Sequence, residues 1–295
     1  MIEQSFLQEL QLDLDLESSQ RLSGGDTAQA YRVESSGGPL FVKVTERPKP
    51  GMFAAEAAGL RWLSDAGLTA PAVLGVTESA LVLEWLQPHP ASPSAAIQFG
   101  RELAAMHSQP VEAFGVAPQP LQNAQRFGWV GDVRFDYGSW QDWPDFYAEA
   151  WLIPIGELAH RTRGLSQSGL TAVTQLADLL VREGIDIGPP TEPVRIHGDL
   201  WSGNLLWQTH TASIIDPAAH GGHPETDLAM LQLFSPSNLA SILLGYQQIR
   251  PLDDSWRQRT QLHQLLPLLV HTVMFGSSYG QQVERSANQI LATAR

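Results

Sequence analysis

The stretch His197-Gly198-Asp199-Leu200-Trp201-Ser202-Gly203-Asn204, followed by Ile214-Ile215-Asp216, decides how this chain is understood. Asp199 precedes Asn204 by five residues, and Asp216 comes twelve later. That order is the one used in kinase-type phosphoryl transfer, where an Asp takes the substrate hydroxyl and an Asn and a second Asp hold magnesium. A hydroxyl is a poor nucleophile, and a triphosphate is highly charged. One carboxylate for the hydroxyl proton and two oxygen ligands for hard cations meet both needs. Asp199 is the candidate base, and Asn204 and Asp216 are the candidate metal ligands.

Upstream, Lys43 lies in the strand-like run Phe41-Val42-Lys43-Val44. On its own it reads as an edge-strand charge facing solvent. The Ala-rich helix expected from Met52 to Leu63 changes that, because Glu56, Leu60 and Leu63 share one helical face. A carboxylate on an apolar face needs a partner, since an unpaired buried charge costs on the order of 3–5 kcal/mol. Lys43 is the natural partner, and in kinases such a pair aims the lysine at the α- and β-phosphates. Earlier still, Ser23-Gly24-Gly25-Asp26-Thr27 offers Gly24 and Gly25 as a phosphate-approaching turn. The chain has no G-x-x-x-x-G-K-[ST] loop. Leu83-Glu84-Trp85-Leu86 ends the same region, and backbone groups at Glu84 and Leu86 are candidates for an adenine edge.

The order of elements gives a fold class. A helix is expected through Phe6, Leu7, Leu10 and Leu14, then strands at 31–34 and 40–44, the helix from Met52, and strands at 73–76 and 80–84. A Pro-rich break follows at Pro88, Pro90 and Pro93. Beyond it the pattern is mostly helical, at 97–107, around Leu170–Leu180 and from about Asp227 to the end, with short strands at 194–196 and 213–215 flanking the motif. The expectation is an α+β, two-lobed, protein-kinase-like fold. Residues 1–87 form a small β-rich nucleotide-binding lobe, and residues 88–295 form a larger, mainly helical lobe with the catalytic loop, metal and acceptor sites.

Composition narrows the partners. The 295 residues carry 18 Lys plus Arg against 31 Asp plus Glu, a net charge of -13 that disfavours nucleic acid or an anionic membrane as main partner. There is no cysteine, so disulfide-linked dimers, thiol catalysis and Cys-based zinc sites are excluded. The acidic N-terminus lacks the form of a signal peptide, and no apolar run spans a bilayer. A cytoplasmic protein acting on a small molecule is the expectation.

Other residues in the motif carry structural or acceptor roles. His197 is expected to brace the catalytic loop, and Asp227, at the start of a helix, to hold that loop's backbone. The spacing of His210, His220 and His223 fits no standard zinc pattern. Gly198 stands where protein kinases usually carry Arg, which points toward a small-molecule acceptor. Trp201, two residues after Asp199, offers a flat ring suited to the C–H face of a sugar.

Taken together, the His197–Asn204 motif with its Leu-Trp-Ser-Gly filling resembles the signature of the fructosamine kinase (ketosamine kinase) family, relatives of aminoglycoside and choline phosphotransferases. Similar stretches include Gly24-Gly25 through Tyr31-Arg32-Val33, Phe41–Val44, Met52-Phe53 with Glu56-Ala57, Leu81–Glu84, Ile215–Ala218 and Asp227–Met230. The resemblance runs from about residue 20 to 280. It implies an ATP- and magnesium-dependent kinase that phosphorylates the 3-hydroxyl of a ketosamine, an Amadori-type adduct, and so promotes deglycation. By the same resemblance Asp199 is the base, Lys43 contacts phosphates, Asn204 and Asp216 hold magnesium, and Trp201 lies at the sugar. Two departures stand out. Asp26 occupies the region where many relatives carry a redox-active cysteine, and Phe127-Gly128-Trp129-Val130-Gly131 replaces a usual Asp-Asn-x-Ile-Gly, which implies a shifted acceptor preference. The alternatives are a kinase of another small alcohol, such as an aminoglycoside or a choline-like amino alcohol, and a nucleotide-binding pseudokinase. The second is opposed by the presence of Lys43, Glu56, Asp199, Asn204 and Asp216 together.

Overall fold

The computed structural model describes residues 10, 12–22, 28–121 and 125–294. Its first layer is an antiparallel sheet of β1 (Leu14–Arg21), β2 (Gln29–Ser35), β3 (Gly38–Val44), β4 (Val73–Val76) and β5 (Ala80–Glu84), in the order β1-β2-β3-β5-β4. Alternation along β3 assigns its faces. Val42 and Val44 point into a small core with Tyr31, Val33 and Val82, while Phe41 packs on the opposite side against the cluster that includes helix α1 (Met52–Ser64). Lys43, two residues from Phe41, shares that second face.

The N-terminal expectation needs correction. Leu14 opens a strand, not a helix. Leu10, Leu12, Leu14 and Leu16 all pack on the small sheet core, and their period of two, with Gln11, Asp13 and Asp15 between, is a strand pattern. Phe6 and Leu7 lie outside the described residues, as do Gly24 and Gly25.

The rest is mainly helical: α2 (Pro93–Met106), the hairpin β6 (Phe127–Val130) and β7 (Val133–Asp136), α3 (Trp143–Phe146), a π-helical stretch Tyr147–Leu152, α4 (Ile153–Arg161) and α5 (Gln167–Val181). After β8 (Val194–Ile196), β9 (Leu205–Trp207), β10 (Ala212–Ile214) and β11 (His220–Gly222) come α6 (Pro224–Leu233), α7 (Leu239–Ile249), α8 (Trp256–Phe275) and α9 (Ser277–Thr293). α2 opens with the Ser92 hydroxyl accepting from the Ala95 N–H and with Pro93 in its first turn. It packs backbone to backbone on α7, because a Cβ at Gly100 would lie 2.0 Å from the Ile242 carbonyl oxygen.

One helix has another element's side chain set into its hydrogen-bond ladder. Pro267 lies inside α8. There the Tyr147 hydroxyl accepts from the Leu266 N–H at 3.1 Å and donates to the Leu262 carbonyl at 2.8 Å, standing in the helix's own ladder. The π-helical stretch that begins at Tyr147 and the altered turn of α8 therefore meet, and both border the site described next.

Candidate active site

Two short antiparallel pairs build the site. β8 pairs with β11, and β9 with β10. The loop 197–204 runs from β8 to β9, and the segment 215–219 runs from β10 to β11, so the two are held side by side. The Ile215 N–H donates to the Asn204 carbonyl at 3.1 Å and locks them. Sequence patterning finds β8 and β10 but misses β9 and β11, which have three residues each.

A buried carboxylate fixes the loop. Asp227, fully buried, accepts from the His197 N–H at 2.8 Å and the Gly198 N–H at 3.0 Å. His107 Nε2 lies 3.2 Å from the same carboxylate, and its Nδ1 lies 3.0 Å from the Tyr246 hydroxyl. Burial pushes Asp227 up, but the His107 bond, His197 and the backbone donors outweigh it and hold the group ionised. His197 accepts from the Asp199 N–H at 3.2 Å through Nδ1, so its Nε2 carries the proton donated to the Ile215 carbonyl at 3.0 Å. Gly198 has φ 78°, and a Cβ there would lie 2.3 Å from the Ala218 carbonyl oxygen, so only glycine fits. His107 escaped the sequence reading, since nothing in its helix-end context marks it.

The polar centre joins both parts of the chain. Lys43 Nζ donates to Glu56 Oε1 at 2.7 Å and also to Asp216 Oδ1. A single ammonium shared by two carboxylates leaves surplus negative charge. Burial pulls Lys43 down, yet Asp216 and Glu56 raise it above its ordinary value overall. Burial likewise pushes Asp216 up, but the Lys43 charge brings it below the usual carboxylate range. Asp216 sits at φ 54°, a left-handed conformation that Asp tolerates better than most residues. α1 reaches this segment closely: a Cβ on Gly59, one turn beyond Glu56, would lie 3.0 Å from Pro217 Cγ.

Asn204 Nδ2 donates to the Asp199 carbonyl at 2.8 Å and to Asp199 Oδ2 at 3.0 Å. The amide nitrogen is thereby committed, and the amide oxygen is the atom left for a ligand. Asn204 and Asp216 are the residues here whose oxygens could hold a hard divalent cation. Burial pushes the Asp199 carboxyl up to about 7, with the Asn204 bond opposing it.

Asp199 and Gly198 also line a cavity with Val130, Trp151, Met230 and His271. Val130 belongs to the altered segment 127–131, which the structure shows as β6 and the start of its turn. Trp201 is 38% exposed, lies over Gly203, and meets Phe234 edge-on at 6.2 Å. Glu84 is exposed, with its carboxylate accepting from the Ala72 N–H at 3.2 Å, and Leu86 is half-buried beyond it. His223, Glu225 and His263 gather within 4.8 Å. Both Glu225 oxygens are bound by Arg259, at 2.6 and 3.0 Å, which makes this cluster a buried brace at the start of α6.

The fructosamine kinase family profile matches residues 1–293. The chain belongs to the fructosamine kinase family. A probable ketoamine kinase of Synechocystis is 32% identical over 287 residues, covering 94% of this chain and 91% of that protein. The crystal structure of a putative fructosamine-3-kinase from Thermobifida fusca superposes with a TM-score of 0.87 at 38% identity, covering 98% of each chain. An aminoglycoside phosphotransferase in ternary complex with AMP-PNP and hygromycin B shares the fold, with a TM-score of 0.66 at 18% identity over 98% of each chain. As a fructosamine kinase family member with the kinase-like fold, the chain is an ATP-dependent phosphotransferase. No helix among the described residues is long and apolar enough to cross a membrane.

Proposed function

We propose that the chain transfers the γ-phosphoryl group of ATP to the 3-hydroxyl of a ketosamine, and that release of the phosphorylated sugar then frees the amine. The observation that carries this is the convergence of Glu56 and Asp216 on the Lys43 ammonium, beside a half-buried Asp199 that lines a cavity. Family membership supplies the acceptor class.

In this reading Asp199 accepts the hydroxyl proton as the acceptor oxygen bonds to the γ-phosphorus and the bond to the bridging oxygen breaks. ADP leaves, and the proton stays on the carboxyl. The raised affinity of Asp199 for a proton suits that role near neutral pH. Lys43, oriented by Glu56, contacts the phosphates, and Gly24 and Gly25 are the further phosphate-binding residues that the sequence offers. The segment from Glu84 to Leu86 borders the adenine. Asn204 and Asp216 would hold magnesium, which supplies charge neutralisation on the phosphates when bound. Trp201 offers its exposed face to the acceptor.

The test is a phosphorylation screen with ATP against fructosamines, ribulosamines, aminoglycosides and choline. Turnover of the ketosamines is expected. Turnover of aminoglycosides or choline alone would overturn the acceptor assignment.

A further inference from the structure

The hairpin β6–β7 touches both the catalytic loop's surroundings and the start of α1, and the proposed chemistry gives it no role. It is rooted in the large helical core, where Val130, Val133 and Phe135 are buried with Trp151, Leu266 and Val270. Its turn rests on α8, because a Cβ at Gly131 would lie 2.8 Å from Met274 Sδ. Side chains alternate along β6. Val130 therefore borders Asp199, while Trp129 turns to the other face and packs against the cluster that includes Met52 and Phe53 of α1.

Polar contacts from the hairpin reach the segment that opens α1. The Trp129 indole Nε1 donates to the Pro50 carbonyl at 3.1 Å. The Gln125 amide nitrogen donates to the Gly51 carbonyl at 3.1 Å and to the Phe127 carbonyl at 2.6 Å, which ties Gly51 to the start of β6. Lys49 Nζ pairs with Asp132 in the hairpin turn and lies 5.2 Å from the centroid of the Trp129 ring. A carboxylate and an aromatic face thus hold the same cation. Just past β7, Tyr137 packs on Ala55 and Ala58 of α1.

The helix gains from such an external hold. Its cap is Gly51, at φ 63°, which has no side chain to bond the first turn. A Cβ there would lie 2.1 Å from Gln125 Oε1, so glycine is what lets the amide come this close. Glu56 stands one turn into the helix and accepts from Lys43 Nζ at 2.7 Å. A shift or rotation at the start of α1 therefore moves the carboxylate that orients Lys43.

We propose that the β6–β7 hairpin clasps the start of α1, through Trp129 and the Lys49–Asp132 pair, so that Glu56 presents Lys43 to the nucleotide phosphates. Trp129, Lys49 and Asp132 are then positioning residues for ATP that act through Glu56. This deepens the kinase reading and rests on its assignment of Lys43 to the phosphates. It also divides the altered segment 127–131 by face, with Val130 beside Asp199 and Trp129 on the nucleotide side.

The test is calorimetric titration of the full chain with AMP-PNP and magnesium, beside thermal melts of each variant. Trp129→Phe keeps an aromatic ring and removes the indole N–H. It is expected to weaken AMP-PNP binding about threefold or more, the scale of one neutral hydrogen bond. Lys49→Glu sets two carboxylates against each other and is expected to weaken binding to a similar degree. Asp132→Lys discriminates further. It adds positive charge, which by simple attraction would tighten the anionic nucleotide, whereas a broken clasp weakens it. The double exchange of Lys49→Glu with Asp132→Lys keeps the parent's net charge and is expected to restore affinity to within about twofold. A double exchange that stays weak would overturn the proposal, since Lys49 would then act on the nucleotide directly. Tighter binding by Asp132→Lys would overturn it too, as would lowered melting temperatures with AMP-PNP affinity unchanged, the mark of a purely structural hairpin. Lys43→Ala separates the two levels. If that variant binds AMP-PNP as the parent does, the phosphate assignment itself fails; if it binds weakly while the hairpin variants bind normally, the clasp alone fails.

Discussion

At the scale of single residues, the proposed mechanism gives Asp199 and Lys43 separable duties. The Asp199 carboxylate is held by Asn204 and faces the cavity, while Lys43 lies between Glu56 and Asp216. Asp199→Ala is expected to lower kcat by about 10³-fold or more, in the range general-base removal costs, while nucleotide affinity stays near that of the parent. Turnover kinetics and calorimetric titration with an ATP analogue check the two halves of this statement; full turnover would refute the base assignment. Lys43→Ala is expected to act the other way round, raising KM for ATP about tenfold or more while also leaving Glu56 buried without its cation. Unchanged nucleotide affinity in that variant would count against the phosphate contact. The motif residues were all legible in the sequence because their chemistry fixes their spacing. Trp151 and His271, which line a cavity with Asp199, were not, because each lies in an otherwise apolar stretch of helix whose pattern reads as core.

At the scale of elements, the catalytic loop owes its shape to α6 and α2 more than to its own residues. Asp227 gives both carboxylate oxygens to loop N–H groups and receives His107 from the end of α2. Asp227→Ala is expected to cost about 3 kcal/mol or more, because it strands two buried N–H donors and a buried imidazole. Chemical denaturation checks the stability change, and kcat is expected to fall together with it. The sequence suggested this role through the position of Asp227 at a helix start. β9 and β11 escape it because Leu-Leu-Trp and His-Gly-Gly carry no β-branched residue, whereas the equally short β8 and β10 contain Val194, Ile196 and Ile214. It also misread Leu14, where a strand's period of two overlaps a helical spacing of three and four.

At the scale of the whole molecule, the buried histidines tie stability to pH. Burial holds His220 at about 4 and His263 at about 3, with Arg259 adding to the effect at His263. An unfolded imidazole titrates near 6.5. Between those values the unfolded chain binds a proton that the folded chain refuses, so each such group stabilises the fold above 6.5 and loses that contribution as pH falls. Asp199 acts with the opposite sign, since its folded value is raised. A difference between variants therefore isolates one histidine. His263→Gln is expected to lose about 2 kcal/mol less than the parent between pH 7 and pH 5. Denaturation curves at both values check this, and identical losses would contradict it.

By itself the sequence determined the reaction class, the two-lobed kinase-like fold and the residues of the polar centre. Each of these is written locally, in short-range spacing, in the alternation of β3 and in the inward face of α1. Only the tertiary structure decided which distant side chains share a cavity with Asp199. Val130, Trp151 and His271 come from three separate segments, and the Tyr147 hydroxyl ties the stretch that holds Trp151 to the helix that holds His271. Contacts between residues more than a hundred positions apart leave no mark on either neighbourhood, because nothing short of the folded chain brings their chemistry together.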